Sequence, residues 1–202
     1  TVGPIAKSVY DAALMYLSMA KRAKEIPALD ERFPESGTSL QGKRIGVLSS
    51  YFLERVQPDV ASAFHDAVAA LRELGAEIVE CDWADVGAAR AVALIISRIE
   101  SAAVHRDELR NAADLMGDAL RSRLEIGALM PADTYLRARQ VRKAIRASIA
   151  QVYREHNLDA IATPTLPSTA PRADDPFAMY EDGSREEIGV AFTRQTAPWN
   201  AT

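Results

Sequence analysis

Cysteine is all but missing: Cys81 is the only one among 202 residues, so an internal disulfide framework is excluded, and no cluster of cysteine and histidine has zinc-ligand spacing. Long hydrophobic runs are missing too. No stretch approaches the roughly 18 apolar residues of a membrane-spanning helix, and the first residues show no basic-then-apolar signal pattern. Charge of one sign is also absent. The 24 Lys and Arg are scattered among 28 Asp and Glu, a formal net charge of -4, which leaves no footprint for nucleic acid or an anionic membrane. These absences point to a soluble, cytoplasmic protein with small or neutral partners. What is present is apolar material, 48% of residues, enough for a packed core.

Familiar catalytic signatures are lacking as well. There is no G-x-S-x-G elbow, no P-loop, no G-x-G-x-x-G after a strand and no H-E-x-x-H. His65, His105 and His156 fall in separate segments and read as structural. Cys81 follows a strand with nothing nearby in sequence to depress its pKa, so it reads as core. Glu100 and Glu108 read as ordinary helix surface, and Asn200-Ala201-Thr202 as a chance glycosylation triplet.

The patterning is that of an α/β protein. Ser8 and Asp11 form a capping box ahead of an apolar stripe at Ala12, Ala13, Tyr16, Leu17 and Ala20. Residues 26–42, with Pro27, Pro34, Gly37 and Gly42, read as a loop or crossover. Ile45 to Leu48 reads as a buried strand. A helix follows from Pro58, with Val60, Phe64, Ala67, Val68, Leu71 and Leu74 at helical spacing up to Gly75, and Ala76 to Glu80 makes a second strand. Strand, helix and strand form a βαβ unit over about 43–82, with parallel strands and a right-handed crossover.

A helical region follows over about 86–156. Ala91, Leu94, Ile95 and Ile99 form one face and Met116, Leu120 and Leu124 another, with a break near Arg106 or Asn111. Pro131 precedes a long helix whose stripe is Ala138, Val141, Ile145, Ile149 and Val152. Its wet side carries Arg137, Arg139, Arg142, Lys143 and Arg146. The last region, about 158–202, holds a third strand from Leu158 to Thr163, ended by Pro164 and Pro167. Beyond Ser168 comes an irregular, turn-rich excursion, and a last helical or turn segment from Ile188 to Thr196.

Three stretches carry a family resemblance. Thr1-Val2-Gly3-Pro4-Ile5-Ala6-Lys7-Ser8-Val9, with Asp11-Ala12-Ala13, resembles the amidase signature family's Gly-Pro-aliphatic-Ala-basic-Ser stretch that opens a helix containing Asp-Ala-Ala. Asp159-Ala160-Ile161-Ala162-Thr163-Pro164-Thr165-Leu166-Pro167, then Ala170-Pro171, resembles that family's late strand and its Thr-Pro exit. Thr193 to Asn200 is similar to the approach to its Thr-to-Asn segment. Gly127, Pro131, Tyr135, Ala138 and Arg142 fall in the family's order between them.

The resemblance implies an α/β/α build around a mixed sheet, of which this chain is an incomplete C-terminal portion. It implies an amide hydrolase, working without cofactor or metal, in which one Ser attacks the amide carbonyl, a second Ser and a Lys relay protons, and backbone N–H groups hold the oxyanion. Those residues precede the segment matching Thr1, so no catalytic residue is assigned here and the chain alone is expected to be inactive. The substrate-binding positions it implies are Thr163, Pro164, Thr193 and Asn200. The first of these has independent support, because ligands in α/β sheets gather where strands end. Expected partners are a small-molecule amide, the N-terminal remainder of the same domain and, as an open alternative, a second copy in a homodimer; neither nucleic acid nor membrane is expected. Two other readings stand beside it: a non-catalytic ligand-binding or interaction module, and the amidase-like subunit of a transfer-RNA-dependent amidotransferase.

Overall fold

The structure is a computed structural model that describes residues 3–29 and 39–202, so most of the expected 26–42 loop lies outside the described residues. The chain forms two compact units, residues 1–40 and 41–202.

In the first unit, helix α1 (Val9–Met19) starts as its sequence predicts. The Ser8 hydroxyl accepts from the Asp11 N–H at 3.0 Å and donates to the Asp11 carboxylate at 2.8 Å, satisfying an N-terminal donor that the helix cannot. Of the expected stripe only Leu17 is buried, whereas Tyr16 is 51% exposed. A 3₁₀ segment, Ala23–Ala28, follows α1 and packs on it.

The second unit is built on a three-stranded parallel sheet of β1 (Arg44–Leu48), β2 (Glu77–Cys81) and β3 (Ala160–Ala162), ordered β2-β1-β3. Helix α2 (Pro58–Glu73) joins β1 to β2, as the βαβ reading requires. It ends where Gly75 takes φ +98°, the left-handed conformation that lets the Ala76 N–H reach back to the Leu71 carbonyl at 3.0 Å. Helices α3 (Val86–Val104), α4 (Arg106–Asn111), α5 (Asp118–Leu129) and α6 (Ala132–Glu155) then lead to β3. The helical region is interrupted at both expected positions, at His105 and again after Asn111.

Period-two alternation in the strands divides the core between the two faces of the sheet. Val47 points to α2, meeting Phe64 and Val68 with Ile78 and Ala162 packed alongside. Leu48 and Cys81 point the other way, into a larger core with Val92, Ala93 and Ile96 of α3 and Ala138, Ile145, Ile149 and Val152 of α6. Helices therefore cover both faces. Stacked at its far side are Phe52 and Trp199, 5.6 Å apart, with Trp83 5.6 Å from Trp199.

Several expected details move. Val141 is 37% exposed and lies off the α6 stripe. In α3 the buried face is Ala89, Val92, Ala93 and Ile96 rather than Ala91, Leu94, Ile95 and Ile99. The reason is that α3 is apolar nearly all round, so its periodicity points to no single face. The excursion beyond Ser168 contains an antiparallel hairpin, β4 (Phe177–Met179) with β5 (Arg185–Glu187), and the last helix α7 runs Ile188–Asn200.

Candidate functional site

Two connections leave the sheet on opposite faces: α2 between β1 and β2, and the α3 to α6 stretch between β2 and β3. The carboxyl ends of β1 and β3 therefore flank a topological switch point, the place where open α/β sheets hold ligands. A cleft of about 430 Å³ lies at the exit of β3. Thr163, Pro164, Thr165 and Leu166 form one wall, Asp59, Val60, Ala63 and Phe64 of α2 the other, with Ser168 and Thr169 beyond. Its lining is mostly apolar with a few hydroxyls and one carboxylate, the composition of a small-molecule pocket.

Gln57, immediately before α2, holds the exit segment in place. Its N–H donates to the Pro167 carbonyl at 2.7 Å, its amide oxygen accepts from the Thr169 N–H at 3.0 Å, and its amide nitrogen donates to the Met179 carbonyl at 2.9 Å. One side chain thus ties the β3 exit and the hairpin to the start of α2. Ser168 is buried, and its hydroxyl has no partner among the described residues.

Thr193 and Asn200 do not line this cleft. Both lie on α7, where the Thr193 hydroxyl donates within its own helix to the Gly189 and Val190 carbonyls at 2.9 and 3.0 Å. Asn200 is the exposed last residue of that helix. The structure thus brings Thr163 and Pro164 together and sets Thr193 and Asn200 apart from them on another element.

Beside them α7 buries a charged network. Arg194, 8% exposed, meets the Glu186 carboxylate at 2.9 Å and the Tyr180 hydroxyl at 2.8 Å, and donates to the Arg55 carbonyl at 3.1 Å. Tyr180 donates to Glu186 at 2.8 Å, and Tyr51 donates to the Arg194 carbonyl at 3.1 Å. Burial raises the pKa of both phenols, reinforced at Tyr180 by its bond to Glu186, so both act as donors at neutral pH. Gln195, 1% exposed, donates to the Phe52 carbonyl at 2.8 Å. These contacts fasten the segment after β1, the hairpin and α7 to one another. Sequence reading missed Arg194, Glu186 and Gln57. An arginine within a helix and a glutamine before one read as surface, and the only signal for the hairpin was the Asp182-Gly183 turn, whose carboxylate accepts from the Ser184 N–H at 2.9 Å.

The other candidates keep structural positions. Cys81 is buried at the end of β2, its thiol pKa raised by burial and by the neighbouring Asp82 and Glu80. Glu100 accepts from the Tyr135 hydroxyl at 2.8 Å, a partner on α6 rather than Glu108. His65 is exposed on α2, His105 separates α3 from α4, and His156 caps α6. Among the described residues no three His, Cys, Asp or Glu side chains converge on a metal position, and no helix is long and apolar enough to cross a membrane.

Comparison with known proteins agrees with this architecture. The family model described as Amidase matches residues 1–202. An amidase of Pseudomonas putida is 37% identical over 99% of this chain and 44% of its own length. A glutamyl-tRNA(Gln) amidotransferase subunit of Roseiflexus castenholzii is 31% identical over 89% of this chain and 43% of its own. Among solved structures, an amidase superposes with a TM-score of 0.80 at 24% identity, covering 98% of this chain and 42% of that one. A protein from a vestigial complex connected with the origins of an s-triazine catabolic enzyme gives 0.78 at 27%, covering 98% and 43%. The chain thus spans less than half the length of the relatives it matches. Its residues, its sheet and these likenesses agree: the chain belongs to the amidase signature family.

Proposed function

We propose that the full-length protein hydrolyses a carboxamide to a carboxylate and ammonia or an amine, and that this chain supplies scaffold and part of the acyl side of the substrate pocket. The observation that carries the pocket is the cleft at the β3 exit, where Thr163 and Pro164 face α2 at the switch point of the sheet. Thr193 and Asn200, on α7, are proposed as a second contact with the substrate, on the strength of the family resemblance.

In the proposed mechanism a serine outside this chain adds to the amide carbonyl, and its proton passes through a second serine and a lysine to the leaving nitrogen. The C–N bond breaks to leave an acyl-enzyme. Water then takes the acyl group, releasing the carboxylate and restoring the serine. The substrate carbonyl oxygen becomes an oxyanion in both additions, so fixed N–H donors are the largest contribution asked of the protein.

A second reading is favoured by the amidotransferase relatives: an amidase-like subunit that releases ammonia for a partner. Ammonia release from aliphatic and aromatic amides, by the full-length protein and by residues 1–202 alone, separates the readings. Activity on free amides in the full-length protein alone supports the proposal. Activity on glutamine that needs a partner favours the second reading, and activity of residues 1–202 alone would overturn the placement of the nucleophile.

A further inference from the structure

We propose that the basic face of α6 is a binding site for a small, multiply charged phosphate compound, separate from the cleft at the β3 exit. Arg139, Arg142, Lys143 and Arg146, with Ala147, line a depression of about 590 Å³. Among the described residues no carboxylate lines it. In sequence the concentration of charge is as marked: Arg137, Arg139, Arg142, Lys143, Arg146 and Arg154 occur without one acidic residue between Asp133 and Glu155, in a chain whose net charge is -4.

A helix face that merely meets water tends to alternate its charges, because opposite signs three or four residues apart stabilise a helix and like signs destabilise it. Here the like-signed neighbours fall at those spacings: 139 with 142 and 143, and 146 with 142 and 143. None of the four makes an ion pair among the described residues. Arg139 lies over the Tyr135 ring, 5.8 Å from its centre, and Arg142 donates through Nε to the Ala201 carbonyl at 3.1 Å. Both guanidiniums are thereby steadied while their charge is unmatched, and Arg139, Lys143 and Arg146 are exposed. A bound anion would relieve the repulsion that the sequence leaves in place.

The geometry selects the ligand. From 139 to 146 the helix rises about 10 Å, a length comparable with a chain of two or three linked phosphate groups. Guanidinium forks suit phosphate oxygens, which they can grip two at a time, and the lysine adds a compact charge. A singly charged anion would engage only part of the set, so affinity should climb with ligand charge.

The test uses inorganic triphosphate as the probe, with the full-length protein at low ionic strength, where screening is weak. Calorimetric binding and a rise in Tm are expected, both larger for triphosphate than for acetate. The variant Arg139→Gln/Lys143→Gln/Arg146→Gln, which keeps the bond from Arg142 to Ala201, should bind at least about tenfold more weakly, because each exposed contact contributes a few-fold. Its ligand-free Tm should be equal or higher, since like-charge repulsion is removed. Arg137→Gln, on the same helix but outside the depression, should bind as the wild type does. Absence of triphosphate binding, or equal binding by the triple variant, overturns the proposal. Binding of a single-stranded RNA oligonucleotide without triphosphate binding also overturns it, in favour of a nucleic-acid backbone.

Discussion

Replacing Gly127 by alanine ought to destabilise the protein, although alanine in a helix normally does the opposite. Gly127 lies in α5, packed directly against the backbone of α3. A Cβ there would stand 2.1 Å from the Arg98 carbonyl oxygen and 2.6 Å from its carbon, both backbone atoms that cannot swing aside. Relief requires α3 and α5 to separate by more than about 1 Å along a contact that also buries Ala102, and such overpacking costs about 1–3 kcal/mol or more. Against it stands the helix preference of alanine over glycine, about 1 kcal/mol. With two backbone atoms in the way the cost lies at the upper end of that range, so the clash wins by up to about 2 kcal/mol, which in a chain of this size lowers Tm by up to roughly 8 °C. Gly87 is the matched control: it lies in the first turn of α3, and a Cβ added there meets nothing within 4 Å. Thermal and urea unfolding of Gly127→Ala and Gly87→Ala should move in opposite directions or leave Gly87→Ala unchanged. A stabilised Gly127→Ala would refute the close packing of α3 on α5.

Other perturbations follow from the same contacts. Arg194→Met leaves the partly buried Glu186 without its cation, and urea unfolding should show a loss of about 1.5–3 kcal/mol; a loss below about 1 kcal/mol would contradict the network's contribution. Asp159 accepts from the Arg44 N–H and the Lys43 ammonium at 2.9 Å each, contacts that lower its pKa. A carboxylate with a lowered folded-state pKa adds stability above its unfolded value, near 4, and that stability is lost as pH falls through the folded value. Asp159→Asn should therefore flatten stability against pH below about 4, and an unchanged acid limb would show that Asp159 plays no part in it. Ala63→Phe, at an exposed position lining the cleft, should cut kcat/KM for amide hydrolysis by about tenfold, about 1.4 kcal/mol, with Tm little changed; unaltered kinetics would show that substrate does not use that cleft.

The βαβ unit was legible because each of its signals is local. Pro58 at the start of α2, Gly75 after its end and the apolar run of β1 need no knowledge of the rest of the chain. The capping box at Ser8 was legible for the same reason. The hairpin was not: β4 and β5 are three residues each, too short for alternation to show, and β5 is wholly charged with Arg185 and Glu187 exposed. The candidate site divides likewise. Thr163 and Pro164 were singled out by the family resemblance, and Thr163 also by the strand end it marks, whereas Gln57 acts through contacts with Thr169 and Met179 more than 100 residues away in sequence. Arg194 is buried because the hairpin and the segment after β1 both fold against α7, and helical spacing carries no trace of that.

If the chemistry belongs to a serine outside these residues, trapping the acyl-enzyme will show it. Full-length protein would be quenched during turnover of an amide, and the adduct located by intact mass and peptide mapping. The expected result is an acyl group on a serine outside residues 1–202, with none on this chain. An adduct on a residue within the chain, Ser168 included, would contradict the proposed mechanism.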